Sequence, residues 1–210
     1  MHAAISIKNV SKNYGVLQAL DDVSLTIEQG EFFGLLGPNG AGKTTYFNLI
    51  SGQLPASEGR VFLEGQELTG MSASARTRAG LGRAFQLTNL FPNLSVLENV
   101  RLAVQATESG AHLRGLNLWS IWQDHAQLTQ QAQDILQQVA MLHQAQATVS
   151  SLPHGDQRKL EVALLMALKP SVYMFDEPTA GMSQDEAPVI LNLIRQLKSD
   201  KTKTILLVEH

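Results

Sequence analysis

A glycine-rich loop between an apolar run and a helix-forming run places the strongest constraint on how this chain folds. The loop, GPNGAGKTT, covers residues 37–45, after EFFGLL and before YFNLISG. It matches the pattern G-x-x-x-x-G-K-[ST], in which glycines let the backbone wrap closely around an anion. When such a loop follows a strand and opens a helix, backbone N–H groups face the phosphate. The sequence therefore favours a nucleoside triphosphate site over an ordinary glycine-rich turn with a surface lysine.

The whole loop is predicted to surround the phosphates. Lys43 supplies a positive charge to the β- and γ-phosphates, and Thr44 offers its hydroxyl to Mg²⁺. The residues predicted to bind the nucleotide here are Gly37, Pro38, Asn39, Gly40, Ala41, Gly42, Lys43, Thr44 and Thr45.

Two adjacent carboxylates follow a second apolar run, VYMFDEP. Neighbouring residues on a strand point to opposite sides, so Asp176 and Glu177 are expected to have different roles. Asp176 is predicted to hold Mg²⁺ through its water shell, and Glu177 to orient or deprotonate the attacking water. The plainer alternative is an acidic strand end that caps the next turn, and the phosphate loop upstream makes that alternative weak.

The composition excludes several other classes of protein. The 210 residues contain no cysteine, which rules out disulfides and thiolate metal sites. The net charge of -3 gives no general attraction to nucleic acid or anionic lipid. No apolar run approaches the roughly 20 residues that a membrane-spanning helix needs. We therefore expect any membrane association to go through a protein partner.

Hydrophobic patterning predicts an α/β core that is interrupted by helices. Short β-type runs separated by turns occupy the first third of the chain, and compact apolar runs typical of buried parallel strands return near residues 172 and 204. Between them the pattern is helical. In residues 126–147 the apolar positions recur at helical spacing and predict one amphipathic helix: Leu128, Ala132, Ile135, Leu136, Val139 and Leu142.

With these motifs in this order, the chain resembles the ATP-binding subunit of ABC transporters over essentially its whole length. The resemblance implies an α/β phosphate-loop ATPase core with an N-terminal antiparallel β subdomain and an inserted helical subdomain at about 88–168. Small GTPases, another class with this loop, carry an N-K-x-D motif that is absent from this sequence.

The resemblance also assigns roles to residues outside the two main motifs. Tyr14 corresponds to the aromatic residue that stacks on adenine, Gln86 to the Q-loop glutamine that senses Mg²⁺, and His210 to the switch histidine that contacts the γ-phosphate. On their own these residues would be an edge aromatic, a polar loop residue and a solvated terminus. The family's LSGGQ-like signature corresponds to a segment expected to bind the nucleotide of a second subunit, Leu152, Pro153, His154, Gly155 and Asp156, continuing to Gln157.

This sequence departs from the family pattern at several points. In the signature, Pro153 replaces serine and His154 replaces a glycine, which removes a hydroxyl and an N–H that would reach the partner's γ-phosphate. Ser183 stands where the family has an acidic residue or asparagine in its D-loop. Because the chain stops at His210, where ABC domains usually continue, we expect residues 1–210 to be one nucleotide-binding domain truncated after the switch histidine.

Within the family, the wording of the motifs resembles most the ATPases of branched-chain amino-acid importers. That resemblance implies ATP and Mg²⁺ as cofactors, pairing with a second ATP-binding subunit, integral-membrane permease subunits as partners, an indirect link to a substrate-binding protein and a peripheral place on the cytoplasmic face of the membrane. Import of urea, amides or other amino acids, and a non-transport ABC ATPase, are the alternatives. Trp119 and Trp122 are expected in the helical core or along a groove for the permease.

Overall fold

The computed structural model describes residues 2–38, 40–84, 90–108, 118–198, 200 and 202–209. Asn39, Gln86 and His210 lie outside the described residues, and so do the Trp119 and Trp122 side chains. The chain divides into two compact units. The first comprises Met1–Gln86, Pro170–Ala180 and Ile194–His210, and the second comprises Leu87–Lys169 and Gly181–Leu193.

An antiparallel sheet forms the N-terminal part of the first unit. Its strand order is β2-β1-β4-β5, with β1 at Ala3–Tyr14, β2 at Leu17–Glu28, β4 at Glu58–Leu63 and β5 at Gln66–Glu67. Alternate residues on these strands face the core, and Ile5, Ile7, Ile27, Val61 and Leu63 are almost completely buried. This alternation is the period-two pattern of a sheet with one covered face.

A parallel sheet forms the centre of the same unit. Its strand order is β3-β8-β7-β6, with β3 at Phe32–Leu36, β6 at Leu81–Ala84, β7 at Val172–Asp176 and β8 at Thr204–Glu209. All five residues of β7 are buried, as expected for an inner parallel strand. The prediction of buried parallel strands near residues 172 and 204 is confirmed.

The helix that follows the glycine-rich loop is α1, Lys43–Ser51. It buries Phe47, Leu49 and Ile50 in the core of the first unit. Gly52 ends the helix at φ 80°, and the next amide, Gln53 N–H, donates to the Asn48 carbonyl. This pattern is a Schellman motif, in which glycine adopts the left-handed conformation at low cost.

The buried Arg76 side chain fastens the end of α1 to the rest of the unit. Arg76 lies on a short helix, α2 (Ala73–Arg78), and is only 3% exposed. Its guanidinium donates to the carbonyls of Leu49 and Ile50 at 2.7 Å, and to those of Thr69 and Met71. Burial lowers the pKa of this guanidinium. A cation at the carboxyl end of a helix also interacts favourably with the helix dipole.

The second unit is helical. Its longer helices are α3 (Val96–Glu108), α4 (Leu118–Gln138) and α5 (His154–Leu168), and α6 (Ala187–Lys198) begins in it. Helix α3 packs against both α4 and α5. A capping box opens α3, because Glu98 N–H donates to the Ser95 hydroxyl while the Glu98 carboxylate accepts from Ser95 N–H. None of the described helices is both long and apolar enough to cross a bilayer.

The prediction of one helix across residues 126–147 is wrong at its C-terminal end. Helix α4 stops at Gln138, and Leu142 lies in a separate 3₁₀ turn with 40% of its surface exposed. Ala140 adopts φ 56°, and Met141 N–H donates to the Leu136 carbonyl at 2.7 Å. These bonds terminate the helix as a Schellman motif. Burial of Met141 holds the chain in this conformation although no glycine is present.

Candidate nucleotide-binding site

The glycine-rich loop connects β3 to α1 and has the backbone conformation that a phosphate cradle requires. Gly40 and Gly42 have φ values of 82° and 83°, in the left-handed region that side chains disfavour. A Cβ atom on Gly42 would also lie 2.9 Å from the Ala19 carbonyl oxygen. Gly42 is therefore required by its own backbone angle and by its close approach to β2.

The first turn of α1 presents backbone amides to this loop. Gly42 is the N-cap residue, and the first amide to reach a carbonyl four residues back is Tyr46 N–H, which donates to Gly42 at 2.8 Å. The amides of Thr44 and Thr45 precede that bond, so they have no acceptor within the helix. Thr44 is exposed. Together with the helix dipole, these groups form an anion site of the kind found at helix N-termini.

The Lys43 side chain lies inside the loop. It is only 7% exposed, and its Nζ donates to the Gly37 carbonyl oxygen. Lys43 thus joins the first residue of the loop to the first residue of α1. A phosphate oxygen bound in the loop would be a charged acceptor for this ammonium, and charge-assisted hydrogen bonds are stronger than those to a neutral carbonyl.

The carboxyl ends of three parallel strands meet at the edge where the loop begins. Leu36 on β3 is paired with Glu209 on β8, and Asp176 on β7 is paired with Val208 on β8. Because neighbouring strands lie about 4.8 Å apart, β3 and β7 are separated by roughly 10 Å across β8. Asp176 therefore ends its strand at the same sheet edge as the phosphate loop, where open α/β sheets bind ligands.

Asp176 is buried at this edge and forms an ion pair. Its Oδ2 accepts from Arg83 Nη2 at 2.7 Å, and the two side chains are only 7% and 10% exposed. Burial lowers the pKa of Arg83, while the hydrogen bond and charge of Asp176 act in the opposite direction. An arginine so close to a carboxylate favours the ionised form that a metal ligand needs.

Glu177 does not continue the strand, contrary to the reasoning that placed the two acids on opposite faces of one strand. Strand β7 ends at Asp176, and Glu177 has φ 49°, a left-handed conformation that is uncommon outside glycine. Its backbone is held because its N–H donates to the Val208 carbonyl and its own carbonyl accepts from Ala180 N–H, both at 3.0 Å. The two carboxylates are separated by this backbone turn rather than by strand alternation.

Tyr14 stands at the end of β1, next to the hairpin that leads to β2. It is 46% exposed, and the Lys12 ammonium lies 5.2 Å from its ring centroid. Lys12 also donates to the Pro55 carbonyl. An exposed aromatic face suits the predicted stacking on a base, and that role stays a prediction.

The signature segment lies in the second unit and opens α5. Pro153 is the N-cap of this helix, one position before the first turn in which the sequence analysis placed it. The side chains of Asp156 and Gln157 are used locally: Asp156 accepts from Lys159 and Gln144, and Gln157 donates to the Leu152 carbonyl. Burial opposes ionisation of Asp156, but these hydrogen bonds outweigh it and lower its pKa. Ligand contacts of this segment would therefore come from the His154 and Gly155 amides.

The D-loop residue Ser183 also has a structural role within the second unit. Its N–H and hydroxyl both donate to the Glu186 carboxylate, and Glu186 N–H donates back to the Ser183 hydroxyl. The Glu186 carboxylate lies against Gly155, where an added Cβ would be 2.4 Å from Oε1. The serine thus forms a capping box, and Glu186 brings the D-loop into contact with the signature segment.

The donor set around the phosphate loop fits Mg²⁺. This cation prefers oxygen ligands and is usually held by one or two carboxylates together with substrate phosphates and water. The first unit supplies the Asp176 carboxylate at the sheet edge and the exposed Thr44 hydroxyl in the loop. Among the described residues, no cluster of three or more histidine, aspartate or glutamate side chains forms an all-protein metal cage.

Several residues that organise this site were missed by the sequence analysis. They are Arg76, Arg83 and Glu186, together with Thr179, whose hydroxyl donates to the Glu209 carboxylate at 3.1 Å. An arginine inside a β-type run, as Arg83 is in LGRAF, was the one signal in the sequence, because a charged residue on a buried strand needs a partner. The identity of that partner requires the tertiary structure.

Comparison with characterised sequences places the chain in a family. A family model described as ABC transporter matches residues 20–180. LivG, the high-affinity branched-chain amino acid transport ATP-binding protein of Escherichia coli (strain K12), is 34% identical over 98% of this chain and 81% of that protein. BraF of Pseudomonas aeruginosa, with the same description, is 31% identical over the same shares. The ribose import ATP-binding protein RbsA 2 of Rhizobium meliloti (strain 1021) is 33% identical over 98% of this chain and 38% of that protein.

Solved structures with the same fold agree. The ADP conformation of MJ1267, an ATP-binding cassette of an ABC transporter, has a TM-score of 0.81 and 28% identity, and covers 100% of this chain and 82% of that one. The ATP-binding cassette MJ0796, in a dimeric post-hydrolysis state bound to ADP and Pi, has a TM-score of 0.80 and 27% identity over 98% of this chain and 88% of that one. The predicted α/β phosphate-loop fold is thus confirmed, and the chain belongs to the ABC transporter family as an ATPase that binds and hydrolyses ATP.

Proposed function

We propose that this chain is the ATP-hydrolysing subunit of an ABC importer that powers uptake of branched-chain amino acids through a membrane permease. The observation that carries the cargo assignment is the match to LivG and BraF along 98% of the chain. The observation that carries the chemistry is the placement of the Lys43 loop and the Asp176–Glu177 pair at one edge of the parallel sheet.

In the proposed mechanism the chain positions ATP and activates water. The loop amides, the start of α1 and Lys43 bind the phosphates and offset the charge that develops on the transferred phosphoryl group. Glu177 accepts a proton from the attacking water and aligns it. Thr44, Asp176 and Gln86 would hold Mg²⁺, which neutralises phosphate charge when bound. His210 would contact the γ-phosphate.

We propose that two such ATPase chains form the complete site. The signature segment of one chain, Leu152 to Gln157, would bind the nucleotide held by the loop of the other, as the family resemblance implies. Because Pro153 lacks an N–H, the amides of His154 and Gly155 and the dipole of α5 would carry that contact. ATP would favour the closed pair, and hydrolysis would release it.

The proposed place of the protein is the cytoplasmic face of the membrane, bound to integral-membrane permease subunits. A substrate-binding protein would act on the complex from the other side of the membrane. The match to RbsA 2 supports a second candidate, the import of ribose or another small solute, because the ATPase subunit does not select the cargo. Urea or amide import and a non-transport ATPase remain the alternatives that the following experiments separate.

Replacement of Lys43 by alanine tests the nucleotide site. A hydrogen bond to a charged group contributes about 1.5–3 kcal/mol, so we expect ATP affinity to fall roughly 10–150-fold. Titration of the protein with the fluorescent analogue mant-ATP measures this change. Lys8→Ala is the matched control, because Lys8 is exposed on β1 and contacts the Phe62 ring. Equal affinity for the Lys43 variant and the wild type would refute the assignment of the loop.

Affinity capture from detergent-solubilised membranes tests the transport function. The tagged protein is expected to bring down a polytopic permease, and the ATPase rate of that complex should rise when a leucine-loaded substrate-binding protein is added. Stimulation by a ribose-loaded binding protein instead would replace the amino-acid cargo. Capture of ribosomal or DNA-bound proteins alone would leave the ATPase chemistry intact and reject the importer.

A further inference from the structure

Arg83 makes an unusual set of contacts for a residue on an inner strand of the first unit. Its Nη2 donates to Asp176 Oδ2 at 2.7 Å, and its Nη1 donates to Asn48 Oδ1 at 2.7 Å and to the Ser51 hydroxyl at 2.6 Å. Its Cζ lies 4.6 Å from the centroid of the Phe47 ring. The guanidinium therefore joins the end of β7 to three residues of α1.

The two elements that Arg83 joins carry different parts of the nucleotide site. Helix α1 begins with Lys43 and Thr44 of the phosphate loop, and β7 ends with the acidic residue assigned to the metal. Among the described residues, Arg83 is the side chain with recorded hydrogen bonds to both elements. It sets the position of the Asp176 carboxylate relative to the helix that presents the loop.

A planar guanidinium is suited to this task, and a lysine is not. Arginine donates along fixed directions from separate nitrogens, whereas the lysine ammonium is a single point of charge on a flexible stem. One ammonium in place of the Arg83 fork could retain Asp176 or the acceptors on α1, but it could not hold both in the present geometry. The charge would be kept and the bridge would be lost.

We propose that Arg83 is a positioning residue that holds one oxygen of Asp176 and so fixes the orientation in which this carboxylate meets Mg²⁺. This inference rests on the role proposed above for Asp176. Groups that orient a metal ligand from behind typically change metal affinity by 10–100-fold when they are replaced. Arg83 should therefore affect the metal dependence of nucleotide binding and not the metal-free contact between the loop and the phosphates.

The test measures mant-ATP affinity in EDTA and then across a Mg²⁺ titration. For Arg83→Lys we expect metal-free affinity within about twofold of the wild type and a half-saturating Mg²⁺ concentration at least about tenfold higher. Arg60→Lys is the matched control, because Arg60 is an exposed arginine of the same unit that pairs with Glu67 at 4.0 Å. That control should bind Mg²⁺ as the wild type does.

A double-mutant cycle distinguishes positioning from general destabilisation. If Arg83 acts through Asp176, Arg83→Lys should have no further effect on Mg²⁺ dependence when Asp176 is already asparagine. Ser51→Ala removes one α1 acceptor of the same guanidinium and should shift the Mg²⁺ midpoint in the same direction by a smaller factor. It therefore carries the test if Arg83→Lys does not fold.

Three outcomes would overturn the inference. They are an unchanged Mg²⁺ midpoint in Arg83→Lys or, if that variant does not fold, in Ser51→Ala; a parallel loss of affinity with and without metal; and additive effects in the cycle with Asp176→Asn. Failure of the wild type to bind mant-ATP, or to respond to Mg²⁺, would instead reject the proposed nucleotide and metal site, and this inference with it.

Discussion

Replacing Glu177 by glutamine is expected to slow ATP hydrolysis by about 10²–10⁴-fold while ATP affinity stays close to that of the wild type. Glutamine has nearly the same shape as glutamate but cannot accept the proton of the attacking water. The backbone of residue 177 is fixed by its bonds to Val208 and Ala180, so the substitution leaves the position of the side chain intact. Phosphate release measures the rate, and mant-ATP titration measures the affinity.

The same variant should also reveal the proposed pair of ATPase chains. Because ATP would remain bound, we expect Glu177→Gln to accumulate as a dimer in the presence of ATP, visible by size-exclusion chromatography with light scattering. Glu58→Gln is the matched control, because Glu58 is exposed at the start of β4 in the antiparallel sheet. Hydrolysis at the wild-type rate by Glu177→Gln would remove Glu177 from the catalytic role.

Replacing Arg76 by methionine is expected to lower the free energy of unfolding by about 3–5 kcal/mol. Methionine retains most of the apolar stem but donates no hydrogen bond, so the carbonyls of Leu49, Ile50, Thr69 and Met71 lose a common donor in the protein interior. Two of those carbonyls end the helix that carries the phosphate loop. Urea unfolding followed by circular dichroism measures the loss.

Arg78 provides a control on the same helix. It is exposed and donates only to the neighbouring Ser74 hydroxyl, at 2.9 Å. Arg78→Met should therefore change the free energy of unfolding by less than about 0.5 kcal/mol. A similarly small effect of Arg76→Met would show that the four carbonyls find other donors, and it would contradict the structural role assigned to the buried guanidinium.

The parts of the fold that follow from local patterns could be predicted from the sequence. The span around the glycine-rich loop is the clearest example: β3, the loop and α1 each appear where the apolar run, the glycines and the Gly52 stop predict them. The central position of β7 also follows from an uninterrupted apolar run, because only a strand covered on both faces tolerates one.

Predictions failed where one local pattern was extended past a turn that depends on packing. Leu142 continues the helical spacing of α4, yet the helix ends at Gln138 because Met141 is buried and its N–H bonds back to Leu136. Glu177 was treated as part of a strand, yet it occupies a left-handed turn held by Val208 on the adjacent β8. In both cases the deciding contact lies outside the pattern that was used.

The sequence alone was sufficient to identify the phosphate loop, the paired acids and the family, because each depends on residues that are adjacent in the chain. The contacts of Arg76 with α1, of Arg83 with Asp176 and of Glu186 with Gly155 were decided only by the tertiary structure. These pairs are separated by about 30 to 90 positions, and no local spacing relates them. A buried charge requires a partner, but which partner it meets depends on how the strands and helices pack.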